Sequence, residues 1–113
     1  SRYVGSETVQ IRKLSDVEHD VIREARSIFL KIDTQGFELP VLKGAGEFLA
    51  RVRGVQVELS LVELYSGQEL HFEVSRWLLE RDFQLWNLIP GFVDAESGRL
   101  LQFDGVYFRK PPP

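Results

Sequence analysis

The chain contains no cysteine, and this absence excludes several kinds of chemistry. Without thiols there can be no disulfide framework, no thiolate nucleophile, and no zinc or iron–sulfur site built on cysteine. The only two histidines, His19 and His71, lie far apart in the sequence and have no third ligand at metal-binding spacing, so we predict no metal site. A phosphate-binding P-loop is also excluded, because no Gly-Lys-Ser/Thr string occurs.

The sequence also lacks a block of basic residues and a long apolar run. Its net charge is -3, with acids and bases scattered, which argues against nucleic acid or an anionic membrane as a partner. No run approaches the roughly 20 apolar residues that a membrane span requires, and residues 1–13 do not resemble a secretory signal. We therefore expect a soluble, cytoplasmic protein with no nucleic-acid or membrane partner.

Hydrophobic residues, in contrast, are abundant. They make up 43% of the 113 residues, which is enough for one globular domain over residues 1–110. The three prolines at 111–113 predict a tail or the start of a linker, because consecutive prolines cannot continue a helix or a sheet. This ending suggests a piece of a longer protein.

Hydrophobic periodicity predicts an α/β fold. Alternating residues predict a strand over Val9–Leu14, and a capping box at Ser15 and Glu18 begins a helix that ends at Arg26 or Ser27. The nearly continuous apolar run Ile28–Ile32 predicts a strand that is covered on both faces and therefore paired in parallel.

The second half of the chain continues this alternation of strands and helices. A helix is predicted from Phe37; Gly44 and Gly46 weaken it, and Gly54 ends it. A strand over Val55–Val62 follows, and then a helix capped by Ser66 and Glu69. The last predicted elements are two strands, over Phe83–Ile89 and Leu101–Arg109. No helix separates the last two strands, so they should be antiparallel. The pattern predicts a mostly parallel sheet with an antiparallel hairpin at one side and helices on both faces.

Two acids associated with the buried strands are candidate functional groups. Asp33 ends a predicted parallel strand at the edge where α/β sheets bind ligands, although it could instead cap the following helix. Glu58 lies within the next buried strand, where a carboxylate is costly unless it is paired. It is either a general base or acceptor-binding group, or the partner of Lys31, Arg51 or Arg53 in a salt bridge.

Further candidates lie near these strands. Glu38 is either a substrate-binding acid or a first-turn acid that the helix dipole favours, and Glu63 is a weaker candidate of the same kind as Glu58. Tyr65, Trp86 and Phe92 are either the walls of an acceptor pocket or ordinary core residues.

Three stretches of the sequence carry a resemblance to a known family. They are LKIDTQGFELPVLKGA at 30–45, GVQVELSLVELYSGQ at 54–68 and FQLWNLIPGFVDAESGRLLQFDGVYFR at 83–109. Together they resemble the C-terminal half of FkbM-family methyltransferases, which use S-adenosylmethionine and have a Rossmann-like class I methyltransferase sheet ending in an antiparallel hairpin.

The resemblance implies a transferase that moves a methyl group to a hydroxyl oxygen of a sugar or secondary metabolite. It implies that Asp33 and Glu58 assist catalysis and that Asp33 and Gln35 contact the cofactor. It also implies that Glu38, Glu63, Tyr65, Trp86 and Phe92 contact the small-molecule acceptor.

The sequence departs from the family pattern in one respect. Such enzymes hold the cofactor chiefly by a glycine-rich loop after their first strand and an acid that ends their second, and neither is found in this sequence. We therefore expect a fragment that is inactive alone. The alternative is a non-catalytic interaction or assembly module, in which the open edge of the strand Ile28–Ile32 pairs two copies as a homodimer, unless the segment Val9–Leu14 covers that edge.

Overall fold

A computed structural model of the chain describes residues 6–11, 27–33 and 38–111, and shows an α/β fold. The strands are β1 (Ser6–Ile11), β2 (Ser27–Ile32), β3 (Val52–Ser60), β4 (Phe83–Pro90) and β5 (Gln102–Arg109). The helices are α1 (Glu38–Gly44), the 3-10 helix η1 (Gly46–Arg51) and α2 (His71–Leu79). The predicted α/β class is therefore confirmed. The helix predicted from Ser15 lies outside the described residues.

The five strands form one mixed sheet in the order β1-β2-β3-β5-β4. β1, β2 and β3 are parallel, whereas β5 is antiparallel to both β3 and β4. β4 therefore points in the same direction as β1, β2 and β3, and β5 alone is reversed. This arrangement confirms the predicted parallel strands and the antiparallel hairpin that follows them.

The edge of β2 is covered by β1. The two strands pair in parallel from Ser6 opposite Ser27 to Ile11 opposite Ile32. Of the two alternatives for the strand Ile28–Ile32, the open edge is therefore wrong, and the covering of that edge by the N-terminal segment is confirmed. The covering strand begins three residues before the predicted Val9, and residues 12–14 of the prediction lie outside the described residues.

The core lies on one face of the sheet, which we call the helix face. Ile28, Leu30 and Ile32 are 1%, 0% and 2% exposed, whereas the intervening Phe29 and Lys31 are only partly buried. The buried residues of α1, η1 and α2 join those of the strands in one cluster. A hydrogen bond of 2.9 Å from the buried Tyr107 hydroxyl to Ser75 Oγ ties α2 to this face.

The opposite face, which we call the open face, carries a mixture of aromatic and polar side chains. Strand pairing places Phe29 beside Gly54 and Lys31 beside Gln56, and it places Glu58 beside a residue of β5. Helices on both faces were expected, but both described α-helices lie on the helix face. The connection from β2 to β3 and the connection from β3 to β4 both move in the same direction across the sheet. Because such crossovers are right-handed, the helices that they contain lie on the same face of the sheet.

The glycines after α1 split the helix as the sequence predicts. Gly46 adopts a φ of 55°, a left-handed conformation that glycine tolerates, and it separates α1 from η1. Gly54 does not end the helix, because β3 already begins at Val52. Instead the Phe29 and Phe108 rings lie directly over Gly54. None of the described helices is long and apolar enough to cross a membrane.

The start of α2 differs from the expected capping box at Ser66 and Glu69. The helix begins at His71, and the Leu70 backbone N–H donates to Glu73 Oε1 at 3.0 Å. In return, the Glu73 N–H donates to the Leu70 carbonyl at 3.1 Å. The capping pair therefore lies four residues later in the chain than the sequence predicts. Glu73, and not Glu69, accepts the hydrogen bond of the free amide at the start of the helix.

Candidate functional site

Acidic side chains gather at the edge where the parallel strands end. Asp33 directly follows β2, and Glu58 lies near the carboxyl end of β3. The two are close enough for the charge of Asp33 to raise the pKa of Glu58. The structure therefore brings together the two residues that the sequence analysis proposed as catalytic. We call Asp33, Glu38, Glu58 and Asp104 the carboxylate cluster.

The pKa of Glu58 is raised above its ordinary value. Burial is the largest cause, followed by the negative charges of Glu38, Asp33 and Asp104. A salt bridge to Lys31, Arg51 or Arg53 would have lowered this pKa. None of these three cations is among the causes that shift the Glu58 pKa, so the described residues do not support the salt-bridge alternative.

Asp104 is a member of the cluster that the sequence analysis missed. It lies opposite Glu58 in the antiparallel pairing of β3 with β5. Its Oδ2 accepts a hydrogen bond of 2.7 Å from Nε2 of Gln56, which is also on β3. Gln56, which precedes Glu58 by two residues on β3, thus holds the Asp104 carboxylate in place. This contact depends on the register in which β3 and β5 pair, and neither strand's sequence alone predicts that register.

Glu38 is the first residue of α1, and it is the one charged side chain that is buried among the described residues, with 7% exposure. Its position at the helix N-terminus agrees with the helix-dipole interpretation, since a carboxylate is stabilised there. Its charge nevertheless acts on Glu58 across the strand ends. The dipole interpretation and the site interpretation are therefore compatible.

The loop after β3 is fixed to this edge by a buried glutamine. Nε2 of Gln68 donates to Ser60 Oγ at 2.8 Å, and Oε1 of the same side chain accepts the Leu64 N–H at 2.7 Å. Nε2 of Gln102 also donates to Ser60 Oγ, at 3.1 Å. The sequence analysis did not predict this role for Ser60 and Gln68. Their hydrogen bonds fix the loop that contains Tyr65.

Glu63 and Tyr65 occupy this loop. Glu63 is exposed, and its Oε1 accepts the Gly67 N–H at 3.1 Å, so its carboxylate stabilises the turn. Tyr65 is 47% exposed. The side chain of Tyr65 therefore has surface available to a ligand, whereas the described contact of Glu63 is structural.

Phe92 lies in the hairpin between β4 and β5. Because β4 runs in the same direction as β2 and β3, this hairpin is at the same edge of the sheet as the carboxylate cluster. The Phe92 carbonyl accepts the Leu101 N–H at 2.8 Å, and its side chain is 56% exposed. Phe92 and Tyr65 thus both present exposed rings at the carboxyl edge.

Trp86 lies elsewhere. Its ring packs edge-on against Phe108 at 5.5 Å, and Phe108 contacts Phe29 at 5.9 Å, near the start of β2 and β3. Trp86 is in the middle of β4, three residues before Ile89, which is the β4 residue level with Asp104 and Glu58, and none of the described contacts joins Trp86 to Asp33 or Glu58. Gln35 lies outside the described residues.

Two further features bear on ligand binding. Within residues 6–11, 27–33 and 38–111, no group of three or more His, Asp or Glu side chains is arranged to hold a metal ion. The sequence does contain one Gly-x-Gly triplet, Gly44–Gly46, which runs from the last residue of α1 to the first residue of η1. α1 begins near the carboxyl edge and leads back towards the start of β3. The triplet at its end therefore lies away from the carboxylate cluster.

The fold and the edge cluster define an α/β protein with an acidic site at the carboxyl ends of its parallel strands. A family model for the methyltransferase FkbM domain matches residues 1–85. Because the match spans 85 of the 113 residues, the chain belongs to the FkbM methyltransferase domain family. The match includes Asp33 and Glu58 and ends within β4, before Phe92 and Asp104. Comparison with curated proteins and with solved structures gave no match.

Proposed function

We propose that the chain is the acceptor-binding part of an S-adenosylmethionine-dependent O-methyltransferase with a Rossmann-like class I sheet. The observation that carries this proposal is the meeting of Asp33 and Glu58 at the ends of adjacent parallel strands. This edge is where α/β enzymes of many kinds place their reacting groups. Membership of the FkbM methyltransferase domain family supports the type of reaction.

Methylation of a hydroxyl requires the loss of one proton. A carboxylate is a better proton acceptor when its pKa is raised towards neutrality, and the pKa of Glu58 is raised by burial and by neighbouring acids. We assign Glu58 the role of general base. Asp33 then orients the acceptor hydroxyl by accepting its hydrogen bond before the proton leaves.

The described residues fit a cationic cofactor. S-adenosylmethionine supplies a methyl group on a positively charged sulfonium, and the carboxylate cluster provides negative charges that repel one another in its absence. Asp33 and Gln35 are the proposed contacts to the cofactor. We propose that the glycine-rich loop that would hold the rest of the cofactor is not part of this chain.

The proposed acceptor is a sugar or a secondary metabolite with a free hydroxyl group. The exposed rings of Tyr65 and Phe92 support this assignment, because flat faces of sugars and aromatic rings pack on aromatic side chains. Glu38 and Glu63 are proposed polar contacts. Trp86 stays a sequence-based prediction, and its position near Phe108 argues against a shared pocket. A cytoplasmic location is likewise part of the proposal.

Saturation-transfer NMR on the isolated chain would test the proposal. We expect weak binding, with a dissociation constant on the order of 1 mM or above, and a preference for S-adenosylmethionine over its neutral thioether product. Asp33→Asn should reduce this preference, whereas Glu47→Gln, at an exposed position in η1, should not. A micromolar dissociation constant would contradict the fragment proposal. Equal binding of the two ligands would contradict the role of the carboxylate cluster.

A further inference from the structure

Gln56 is the uncharged side chain that contacts the carboxylate cluster on the open face of the sheet. Its neighbours Val55 and Val57 are fully buried on the helix face, so alternation along β3 directs Gln56 and Glu58 to the open face. Nε2 of Gln56 donates to Asp104 Oδ2 at 2.7 Å. This contact joins residues that are 48 positions apart, so it forms only when β3 and β5 have paired.

Strand pairing places the acceptor of this hydrogen bond directly opposite Glu58. Asp104 is the β5 partner of Glu58, and Gln56 precedes Glu58 by two residues on β3. On its other side Asp104 pairs with Ile89 of β4, whose side chain cannot donate a hydrogen bond. Within the described part of the chain, the amide of Gln56 is therefore the side-chain donor that reaches the Asp104 carboxylate.

The kind of donor matters because an amide carries no charge. Two carboxylates in directly opposed positions repel each other, and a partly exposed aspartate that nothing holds turns away from its neighbour. The amide of Gln56 opposes this movement without adding a positive charge. A lysine in the same position would hold the Asp104 carboxylate but would also offset its negative charge at Glu58.

The other charged groups near Glu58 lie on the elements that precede β3. Burial is the largest cause that raises the Glu58 pKa, and the charges of Glu38 at the start of α1, Asp33 after β2 and Asp104 on β5 follow. Lys31 of β2 lies on the same open face, but its charge is not among these causes. β4 contributes no charged residue. Asp104 is therefore the acid that the far side of the sheet supplies.

We propose that Gln56 is a positioning residue that acts on Glu58 through Asp104: its amide keeps the negative charge of Asp104 opposite Glu58, where that charge favours uptake of a proton. This role rests on the proposed function, in which Glu58 takes the proton of the acceptor hydroxyl. Gln56 is not a catalytic residue in this arrangement, because it contacts another protein side chain and not the reacting atoms.

The titration of Glu58 in the isolated chain tests this role without a ligand. NMR follows the side-chain carboxyl carbon of Glu58, whose titrating signal is identified by its loss in Glu58→Gln. Gln56→Asn keeps an amide but shortens the side chain by one methylene, which breaks the 2.7 Å contact. We expect the midpoint of the Glu58 titration to fall towards the ordinary value of 4.5. Gln84→Asn is the matched control, since Gln84 is an exposed glutamine on β4, and it should leave the midpoint unchanged.

A double-mutant cycle shows whether the effect passes through Asp104. In the Asp104→Asn background, Gln56→Asn should shift the Glu58 midpoint much less, because the charge that Gln56 positions is gone. An equal shift in both backgrounds would overturn the proposal. So would a midpoint that stays the same or rises in Gln56→Asn, or an equal shift in Gln84→Asn.

Two further measurements keep the outcome clear. Circular dichroism checks folding, and Gln56→Leu, which removes the donor, is the second variant if Gln56→Asn does not fold. In the unmodified chain, the side-chain amide protons of Gln56 should exchange with water more slowly than those of Gln84, and equal rates would contradict the hydrogen bond. The preference for S-adenosylmethionine is a separate result: its absence together with the expected titration would refute the proposed function and leave the coupling of Gln56 to Glu58 intact.

Discussion

Glu58 and Asp104 lie directly opposite each other in neighbouring antiparallel strands, with both carboxylates on the open face of the sheet. Like charges in directly opposed positions destabilise a sheet, and here two more acids, Asp33 and Glu38, add to the repulsion. Such an arrangement is costly for folding, so it is better explained by binding or catalysis than by stability.

The first prediction concerns the pH dependence of stability at Glu58. Its pKa in the folded protein is raised from 4.5 by burial and by three neighbouring acids. Between pH 4.5 and the raised pKa, the folded state therefore binds more protons than the unfolded state, and this group makes the protein less stable as the pH rises. Glu58→Gln removes the charge. The gain in free energy of unfolding over the unmodified chain should be larger at pH 7.5 than at pH 4, as measured by urea denaturation.

The control for this experiment is Glu47→Gln, because Glu47 is exposed in η1. Its effect on the free energy of unfolding should stay within about 0.5 kcal/mol at either pH. If Glu58→Gln changed the stability by the same amount at pH 4 and pH 7.5, the acids would not be coupled in the way the structure indicates.

A second prediction concerns Ser60. Its hydroxyl oxygen accepts hydrogen bonds from the side-chain amides of Gln68 and Gln102. Ser60→Ala leaves the buried amide of Gln68 without this partner, which should lower the free energy of unfolding by about 1–3 kcal/mol. Urea denaturation measures this loss. The exposed Ser66→Ala should have an effect within about 0.5 kcal/mol, and an equal loss in both variants would argue against the Ser60 network.

The sequence was sufficient to predict the features that follow from local patterns. The split of the helix at Gly44 and Gly46 follows from the low helix propensity of glycine, and the structure confirms it. The meeting of Asp33 and Glu58 follows from the rule that parallel strands end at one edge. These predictions needed only the periodicity of apolar residues and the polarity of the residues that end each run.

The remaining features depend on contacts between distant segments. Asp104 joins the carboxylate cluster only through the register of β3 with β5, and a shift by one residue would place its side chain on the other face. Trp86 was grouped with Tyr65 and Phe92 as a wall of an acceptor pocket, because sugars and flat ligands pack on aromatic faces. The order of the strands instead places Trp86 against Phe108, away from the carboxyl edge. Strand order and register are tertiary properties that periodicity alone does not encode.

A third prediction uses the close packing at Gly54. An added Cβ would lie 2.5 Å from Phe29 Cδ1 and 2.8 Å from Phe108 Cε1, so both rings would have to move. Gly54→Ala should therefore lower the free energy of unfolding by about 1–3 kcal/mol. The contrasting variant is Gly44→Ala, where no atom lies within 4 Å of the added carbon. It should stabilise the protein by about 0.5–1 kcal/mol, because alanine favours the helix. Effects of the same sign in thermal or urea unfolding would contradict this account.

A fourth prediction concerns the anchoring of β5 by Arg109. Its guanidinium donates to the backbone carbonyls of Val52 at 3.0 Å, Arg81 at 3.2 Å and Leu49 at 2.7 Å, and it lies 4.4 Å from the centre of the Phe83 ring. These contacts join the last strand to η1, to the start of β3 and to the turn before β4. A lysine has one nitrogen and cannot reach three carbonyls in this planar arrangement.

Arg109→Lys should therefore lower the free energy of unfolding by about 2 kcal/mol or more, because at least one carbonyl loses a charged donor. The control is Arg99→Lys, since Arg99 is exposed in the hairpin and its change should stay within about 0.5 kcal/mol. Hydrogen exchange would distinguish a local effect from a global one. The amides of β5 and η1 should lose protection together, because the same side chain holds both, and loss confined to β5 would show that the contacts to η1 contribute little.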